Sequence, residues 1–276
     1  MPAEFISYED RGAVARLWLD REAQRNAQSE QLLTELDEAL ARAVADPAVH
    51  CIIIAGRGDH FSAGHDLKEA QAKRSNFTVE QRWEYETRVY LDYSLRIWDC
   101  PKPTIAQVQG ACVAGGFMLA NMCDLIVASE DAYFADPVCQ TLAAAAVEVL
   151  VHPWVMGMRK AKEFLYTGER MSATDAHSIG MVNRVVARNQ LDAATLALAE
   201  RVASAPPFGL RLTKRSLNRT FDIQGFRNAL MAHFDTHQLS HVTSEFGAMR
   251  ERGMAAGIER AREQMKASHP PTETTD

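Results

Sequence analysis

The chain has 276 residues, 47% hydrophobic and 24% charged, a balance that supports a sizeable core in one large domain or one domain with an appendage. A formal net charge of −6 removes electrostatic support for non-specific nucleic-acid binding. The longest apolar stretches are broken by glycine, Asn121 or Glu148 short of a membrane span, and Met1 to Arg11 is polar and acidic without a signal-peptide core. Cys51, Cys100, Cys112, Cys123 and Cys139 form no close metal-type pair and read as buried thiols of a reducing cytoplasm.

Phe5 to Glu9 and Val14 to Leu19 read as two strands joined by the turn Asp10-Arg11-Gly12. Ser29 is placed to cap a helix that keeps Leu32, Leu33, Leu36, Leu40, Ala43 and Val44 on one face until Pro47. Val49 to Ala55 is too continuously apolar for a surface strand, and the strand–helix–strand order favours a parallel sheet. From Gln71 to Arg82 charges abound without an apolar period, which predicts a mobile loop leading into a helix from about Glu80 to Trp98. Pro101-Lys102-Pro103 ends that helix. Pro103 to Val108 is the next strand, followed by a helix at Phe117 to Met122 and strands at Leu125 to Ala128 and Tyr133 to Ala135. From Thr141 the pattern is helical until Val182 to Val186, with Gly168 and Gly180 at helix C-termini and Ser172 as an N-cap. Pro206-Pro207 separates a helix ending near Ala203 from the C-terminal helices, and the composition of Ser268 to Asp276 predicts disorder.

Two glycine-centred segments organise this order: Phe61-Ser62-Ala63-Gly64-His65-Asp66-Leu67, and Gly110-Ala111-Cys112-Val113-Ala114-Gly115-Gly116-Phe117-Met118-Leu119. Each lies where a β-run gives way to a glycine turn and then to a helical pattern. Glycine lets backbone approach a ligand, and a helix N-terminus presents unpaired N–H groups with partial positive charge. Two such turns facing each other would hold one oxygen between two backbone donors, an oxyanion hole.

Together with Arg25-Asn26-Ala27, Cys123-Asp124-Leu125 and Thr167-Gly168 to Val182, these segments resemble the crotonase (enoyl-CoA hydratase/isomerase) superfamily from Phe5 to about Phe246. The resemblance implies an α/β fold, a crotonase-like spiral of β–β–α turns with a helical C-terminal region. Residues 1–200 would form the spiral, 201–267 helices for oligomerisation, and 268–276 the disordered tail. It implies the amides of His65 and Gly115 as the oxyanion donors that grip a thioester carbonyl, with the His65 imidazole structural or pocket-lining. Arg25 would meet the phosphates of coenzyme A, a role that suits a permanently charged fork. The backbone around Ala63, Asp66 and Leu67 would hold the adenine, and Ala27, Gly116, Met118 and Val138 would complete the contacts. Coenzyme A belongs to the substrate, so no separate cofactor is implied. The implied assembly is a homotrimer or homohexamer, without nucleic acid or membrane.

One departure bears on the reaction. Hydratases of this family use two glutamates, and by the resemblance their places hold Met118 and Val138, which neither move a proton nor orient water. Two nearby carboxylates remain. Asp136 stands two residues before Val138, so an extended chain would put both on one face; its other reading is a cap of the following turn. Glu148 interrupts the apolar run Leu142 to Val151 and must be paired, neutral or facing a pocket, with His152 as its neighbour were the run helical. His233, His237 and His241 recur every four residues, a helical spacing that suits zinc, although the resemblance implies no metal and assigns that helix to subunit packing. Trp83, Tyr85, Tyr90 and Trp98 read as core or acyl-pocket lining.

The readings converge on an acyl-CoA enzyme of the enoyl-CoA hydratase/isomerase type with Asp136 or Glu148 as acid/base. A thioester hydrolase, decarboxylase or isomerase using the same hole is one alternative, and a catalytically silent CoA-ester-binding protein is another. RNA binding is opposed by the acidic balance and the lack of a basic stripe.

Overall fold

A computed structural model describes residues 3–253. In chain order the elements are β1 (Ile6–Arg11), β2 (Val14–Leu19), α1 (Glu30–Ala45), β3 (Cys51–Gly56), α2 (Leu67–Arg74), α3 (Val79–Glu86), a π-helical turn (Thr87–Leu91) and α4 (Asp92–Trp98). They continue with β4 (Thr104–Val108), β5 (Ala111–Val113), α5 (Gly115–Met122), β6 (Leu125–Ser129), β7 (Tyr133–Ala135), α6 (Val138–Leu142), α7 (His152–Met156) and α8 (Met158–Thr167). The last are β8 (Met171–Ser172), α9 (Ala173–Ser178), β9 (Arg184–Val186), α10 (Leu191–Ala203), α11 (Pro207–Ile223), α12 (Phe226–Ser240) and α13 (Ser244–Arg252).

Six strands form one sheet in the order β1-β2-β3-β4-β6-β9, with β1 antiparallel to β2 and the other pairs parallel. A small sheet, β5-β7-β8, lies beside it. The chain winds between them, β4 to β5 to α5 and then β6 to β7 to α6, so each turn gives one strand to each sheet and then a helix. This is the expected β–β–α spiral.

The large sheet is covered on both faces, which explains why its strands read as continuous apolar runs. Ile52 and Ile54 of β3 face the main core with Leu32, Leu36 and Phe117, while Ile53 and Ala55 face a second cluster with Leu191, Leu198 and Ala199 of α10. Ser29 caps α1 by accepting from the Leu32 N–H, and Ser172 caps α9 by accepting from that of Asp175, as their spacing predicts. Cys51, Cys100, Cys112 and Cys123 are buried thiols as expected, whereas Cys139 is exposed.

The structure differs from the sequence reading at several points. The stretch read as helical from Thr141 to Val182 contains a short strand, β8, paired with β7. Gln71 to Arg82 is not one loop: α2 runs through Arg74, its start capped by Asp66, and α3 begins at Val79 under a Thr78–Gln81 capping box. Residues 143–151 are not helical, although they open with four alanines; Ala143 and Ala146 both adopt positive φ, 52° and 45°. Such a backbone costs about 1–2 kcal/mol in a residue with a Cβ, so tertiary contacts override the alanines' helix propensity there. The expected C-terminal helices appear as α11 to α13, and the expected tail at 268–276 lies outside the described residues. No helix among the described residues is long and apolar enough to cross a membrane.

Two glycines give opposite mutational outcomes. A Cβ on Gly116 would stand 2.6 Å from the Ser62 carbonyl oxygen, whereas one on Gly247 in α13 meets nothing within 4 Å. Gly116→Ala should destabilise the protein by about 1–3 kcal/mol, as overpacking against backbone does. Gly247→Ala should stabilise it by up to about 1 kcal/mol through helix propensity. Urea titrations of both variants against the parent test the pair.

Candidate active site

The segment after β3 is stitched to the chain on both sides. Ser62 N–H donates to the Ala111 carbonyl and Val113 N–H to that of Ser62; on the other side Gln28 N–H donates to Gly64 and Asp66 N–H to Gln28. In this parallel pattern the residue between two bonded neighbours points its own amide away. His65 N–H is that amide, and neither it nor Gly115 N–H finds an acceptor among the described residues. The turns abut: Gly64 has φ 90°, and a Cβ there would lie 2.8 Å from the Val113 carbonyl oxygen and 3.2 Å from the Gly115 nitrogen. Ala114, at φ 49° and ψ −112°, makes the sharp entry to α5 that leaves Gly115 as its first residue.

Asn26 holds the other wall. Its side chain donates to the Arg57 and His60 carbonyls and accepts from Arg21 N–H, fixing a segment in which Arg25 and Asn26 both have positive φ. Arg25 stands exposed at the edge of a cleft of about 780 Å³, which Ala27, Ala63, Asp66 and Leu67 also line. Asp66 caps α2 and accepts from Arg21 at 3.0 Å; burial raises its pKa, but the Glu69 N–H and Arg21 outweigh that and hold the carboxyl below its ordinary value.

At His65, Leu67, Val138 and Leu142 the cleft meets a small inner chamber of about 70 Å³. Glu148 lines that chamber, and His65 donates Nε2–H to its Oε2 at 3.0 Å. The His65 ring stacks on Tyr90 with centroids 3.9 Å apart. Glu148 Oε1 lies 3.7 Å from Nε2 of His237, whose Nδ1 is bound to the Ala145 carbonyl at 3.0 Å. Burial opposes ionisation of Glu148, yet His65 and His237 hold its carboxyl well below the usual range. The same balance, led by burial and reversed by Glu86 and Glu148, raises His237 to about 9. Glu86, ion-paired to Arg82 at 3.1 Å, completes the charged wall, and beside it stands His241, which burial pushes down to about 4 and so keeps neutral.

Of the two candidate carboxylates, one reaches this chamber and one does not. Asp136 is fully buried: it accepts from Val138 N–H and Val147 N–H and lies 3.2 Å from His152, whose ring stacks on Phe117. The extended alternation expected of Asp136 and Val138 fails because the chain turns at Pro137, where α6 begins. Asp136 thus caps the turn and anchors the 143–151 loop. The helical pairing of Glu148 with His152 fails as well, since the loop bends and each finds a different partner. Met118 is buried in α5 within the main core, and Gly116 is pressed against Ser62; neither lines the cleft or chamber, whereas Val138 lines both.

Sequence reasoning missed Arg74, Arg82 and Glu86 as chamber residues. Their signal was faint: three charges in a stretch without apolar period, close to Tyr85 and Tyr90. Tyr90 does line the chamber, while Trp98 packs in the core against Phe226. The histidine series divides, His233 binding the Val147 carbonyl and only His237 and His241 reaching the chamber.

The enoyl-CoA hydratase/isomerase family model matches residues 9–267. The chain is 42% identical over 258 residues to a putative enoyl-CoA hydratase of Mycobacterium tuberculosis, covering 87% of this chain and 81% of that one. A solved structure of a probable enoyl-CoA hydratase from Mycobacterium smegmatis matches with TM-score 0.81 at 48% identity, over 86% of this chain and 94% of its own. That of an enoyl-CoA hydratase/isomerase from Xanthobacter autotrophicus Py2 matches with TM-score 0.88 at 36% identity, over 97% and 99%. The chain, with its paired glycine turns and β–β–α spiral, belongs to the enoyl-CoA hydratase/isomerase family.

Proposed function

We propose that this member of the family takes an acyl-CoA thioester, forms its enolate, and moves a proton with Glu148 alone. The thioester oxygen would sit between the amides of His65 and Gly115, with the acyl group in the inner chamber and the coenzyme in the cleft toward Arg25. The α C–H bond breaks, its proton passes to Glu148 Oε1, and the electron pair moves into the thioester carbonyl. The negative oxygen is received by two fixed donors at the start of a helix, where charge stabilisation is strongest. Where the thioester carries a β,γ double bond the enolate extends over it, and return of the proton from Glu148 to the γ-carbon leaves the double bond at α,β, a one-base isomerisation. The observation that carries this reading is the Glu148 carboxylate lining the chamber while bonded at 3.0 Å to His65, whose own amide is one of the donors.

Two-glutamate hydration has no support from Met118 and Val138, both apolar. The test is a panel of enoyl- and acyl-CoA esters with products identified by mass spectrometry. Glu148→Gln should lower kcat on the best substrate about a hundredfold, the scale of losing a general acid or base. Asp136→Asn should instead lower the melting temperature and leave turnover per folded molecule near the parent's. Full turnover by Glu148→Gln would remove Glu148 from the mechanism. Strong crotonyl-CoA hydration by the parent would mean that another group replaces the glutamate pair.

The coenzyme contacts lie in the cleft and the acyl contacts in the chamber. Calorimetry should therefore show an acyl-CoA binding where its free acid does not; equal affinities would sink that division.

Assembly as a homotrimer or homohexamer is part of the same proposal. Phe208, Leu212 and Ile223 of α11 are 68%, 47% and 84% exposed and share one helix face, more apolar surface than a lone helix leaves in water. Light scattering should return three or six times the 30.7 kDa chain mass, and a 30.7 kDa particle would contradict it.

A further inference from the structure

Among the described residues the fully buried arginines and lysines, Arg16, Lys214 and Arg74, follow one rule, with Arg74 as the exception. Arg16 and Lys214 are buried and meet Asp192 and Asp124, and the half-buried Arg82 and Arg21 meet Glu86 and Asp66. Arg74, at the end of α2, is 5% exposed, yet no carboxylate among the described residues lies within ion-pair distance. Among the described residues its one side-chain hydrogen bond goes to the Tyr90 hydroxyl, and its guanidinium lies 4.8 Å from the Tyr85 ring centre and 5.4 Å from that of Tyr90. Aromatic faces and a neutral phenol offset only part of the cost of removing a guanidinium from water.

Arg74 lines the inner chamber, and the other charges there are matched. Glu86 is held by Arg82 at 3.1 Å and by Gln238 at 2.7 Å, and Glu148 by His65 at 3.0 Å with His237 beyond it. One positive charge is left facing the space where the acyl group would lie. Tyr90 links the two: the face of its ring stacks on the His65 imidazole and its hydroxyl meets Arg74, so the guanidinium stands one side chain removed from the turn that carries the His65 amide.

From this geometry we infer that the acyl group ends in a second carboxylate: the ligand is the coenzyme A thioester of a short dicarboxylic acid, whose free carboxylate pairs with Arg74. The inference rests on the acyl-CoA reading above. Arginine accepts a carboxylate through two parallel N–H bonds, and in a water-poor chamber such a pair is stronger than at the surface. A chamber of about 70 Å³ suits a short chain.

Saturated thioesters serve as unreactive probes: pentanoyl-CoA against glutaryl-CoA, and hexanoyl-CoA against adipoyl-CoA, by calorimetry on the full chain. The carboxylate-ended member of at least one pair should bind about tenfold tighter or more, the scale of one charge-assisted contact. Arg74→Gln should cut that ratio to below about threefold, and Arg74→Lys should keep part of it because the charge remains. A purely structural Arg74 would weaken both members alike and leave the ratio unchanged. Equal or tighter binding of the methyl-ended member in both pairs would overturn the inference while leaving the acyl-CoA reading intact. No binding by any of the four would overturn both.

Discussion

The site depends on the double stitching of residues 61–66. Backbone bonds tie this segment to Gln28 on one side and to Ala111–Val113 on the other, and Ala63 N–H adds a bond to the Arg25 carbonyl. Three stretches distant in sequence thereby become one rigid body. The direction of the His65 amide follows from its neighbours' bonds rather than from anything His65 does itself. Gly64 is needed because the turns approach so closely that a side-chain carbon there would strike the Val113 carbonyl, while one at Gly115 would displace the Gln28 and His65 side chains.

Around this rigid centre the charges are concentrated on one wall. Glu86, Glu148, His237 and Arg82 are drawn from two helices and a loop into a space of small volume. Buried ion pairs seldom repay the cost of leaving water, so such a cluster is poorly explained by stability alone. Perturbed titrations gather where chemistry is done, and both the depressed Glu148 and the raised His237 stand here. The strained Ala143 and Ala146 belong to the same economy, because the bend they make brings Glu148 to His65.

Much of the fold was legible because it rests on local rules. Ser29 and Ser172 announce their helices, Pro47 and Pro206 mark the ends of α1 and α10, and the run Val49 to Ala55 announces a strand buried on both faces. What was illegible involves residues whose surroundings invert their usual meaning. A charged residue normally marks the outside of a helix, so Arg74 inside the protein erased the period of α2 and made it read as a loop. Four alanines normally mark a helix, yet tertiary contacts bend them. The two glycine turns could be read from sequence because a glycine requirement is a property of backbone. Which carboxylate reaches the chamber could not, because Asp136 and Glu148 are separated by the path of a loop that no periodicity describes.

The π-helical turn at Thr87–Leu91 carries a consequence for how relatives are compared. It inserts one residue into what would otherwise be a single helix from Val79 to Trp98, and a residue added to a helix rotates all that follows by about 100°. Upstream, Glu86 faces the chamber; downstream, Tyr93 and Ile97 face the core. A relative lacking the extra residue would keep one of these faces and lose the other, even with every side chain conserved. In this stretch the lining of the chamber is encoded in chain length, so an alignment gap of one residue there changes that lining as much as a substitution inside the chamber.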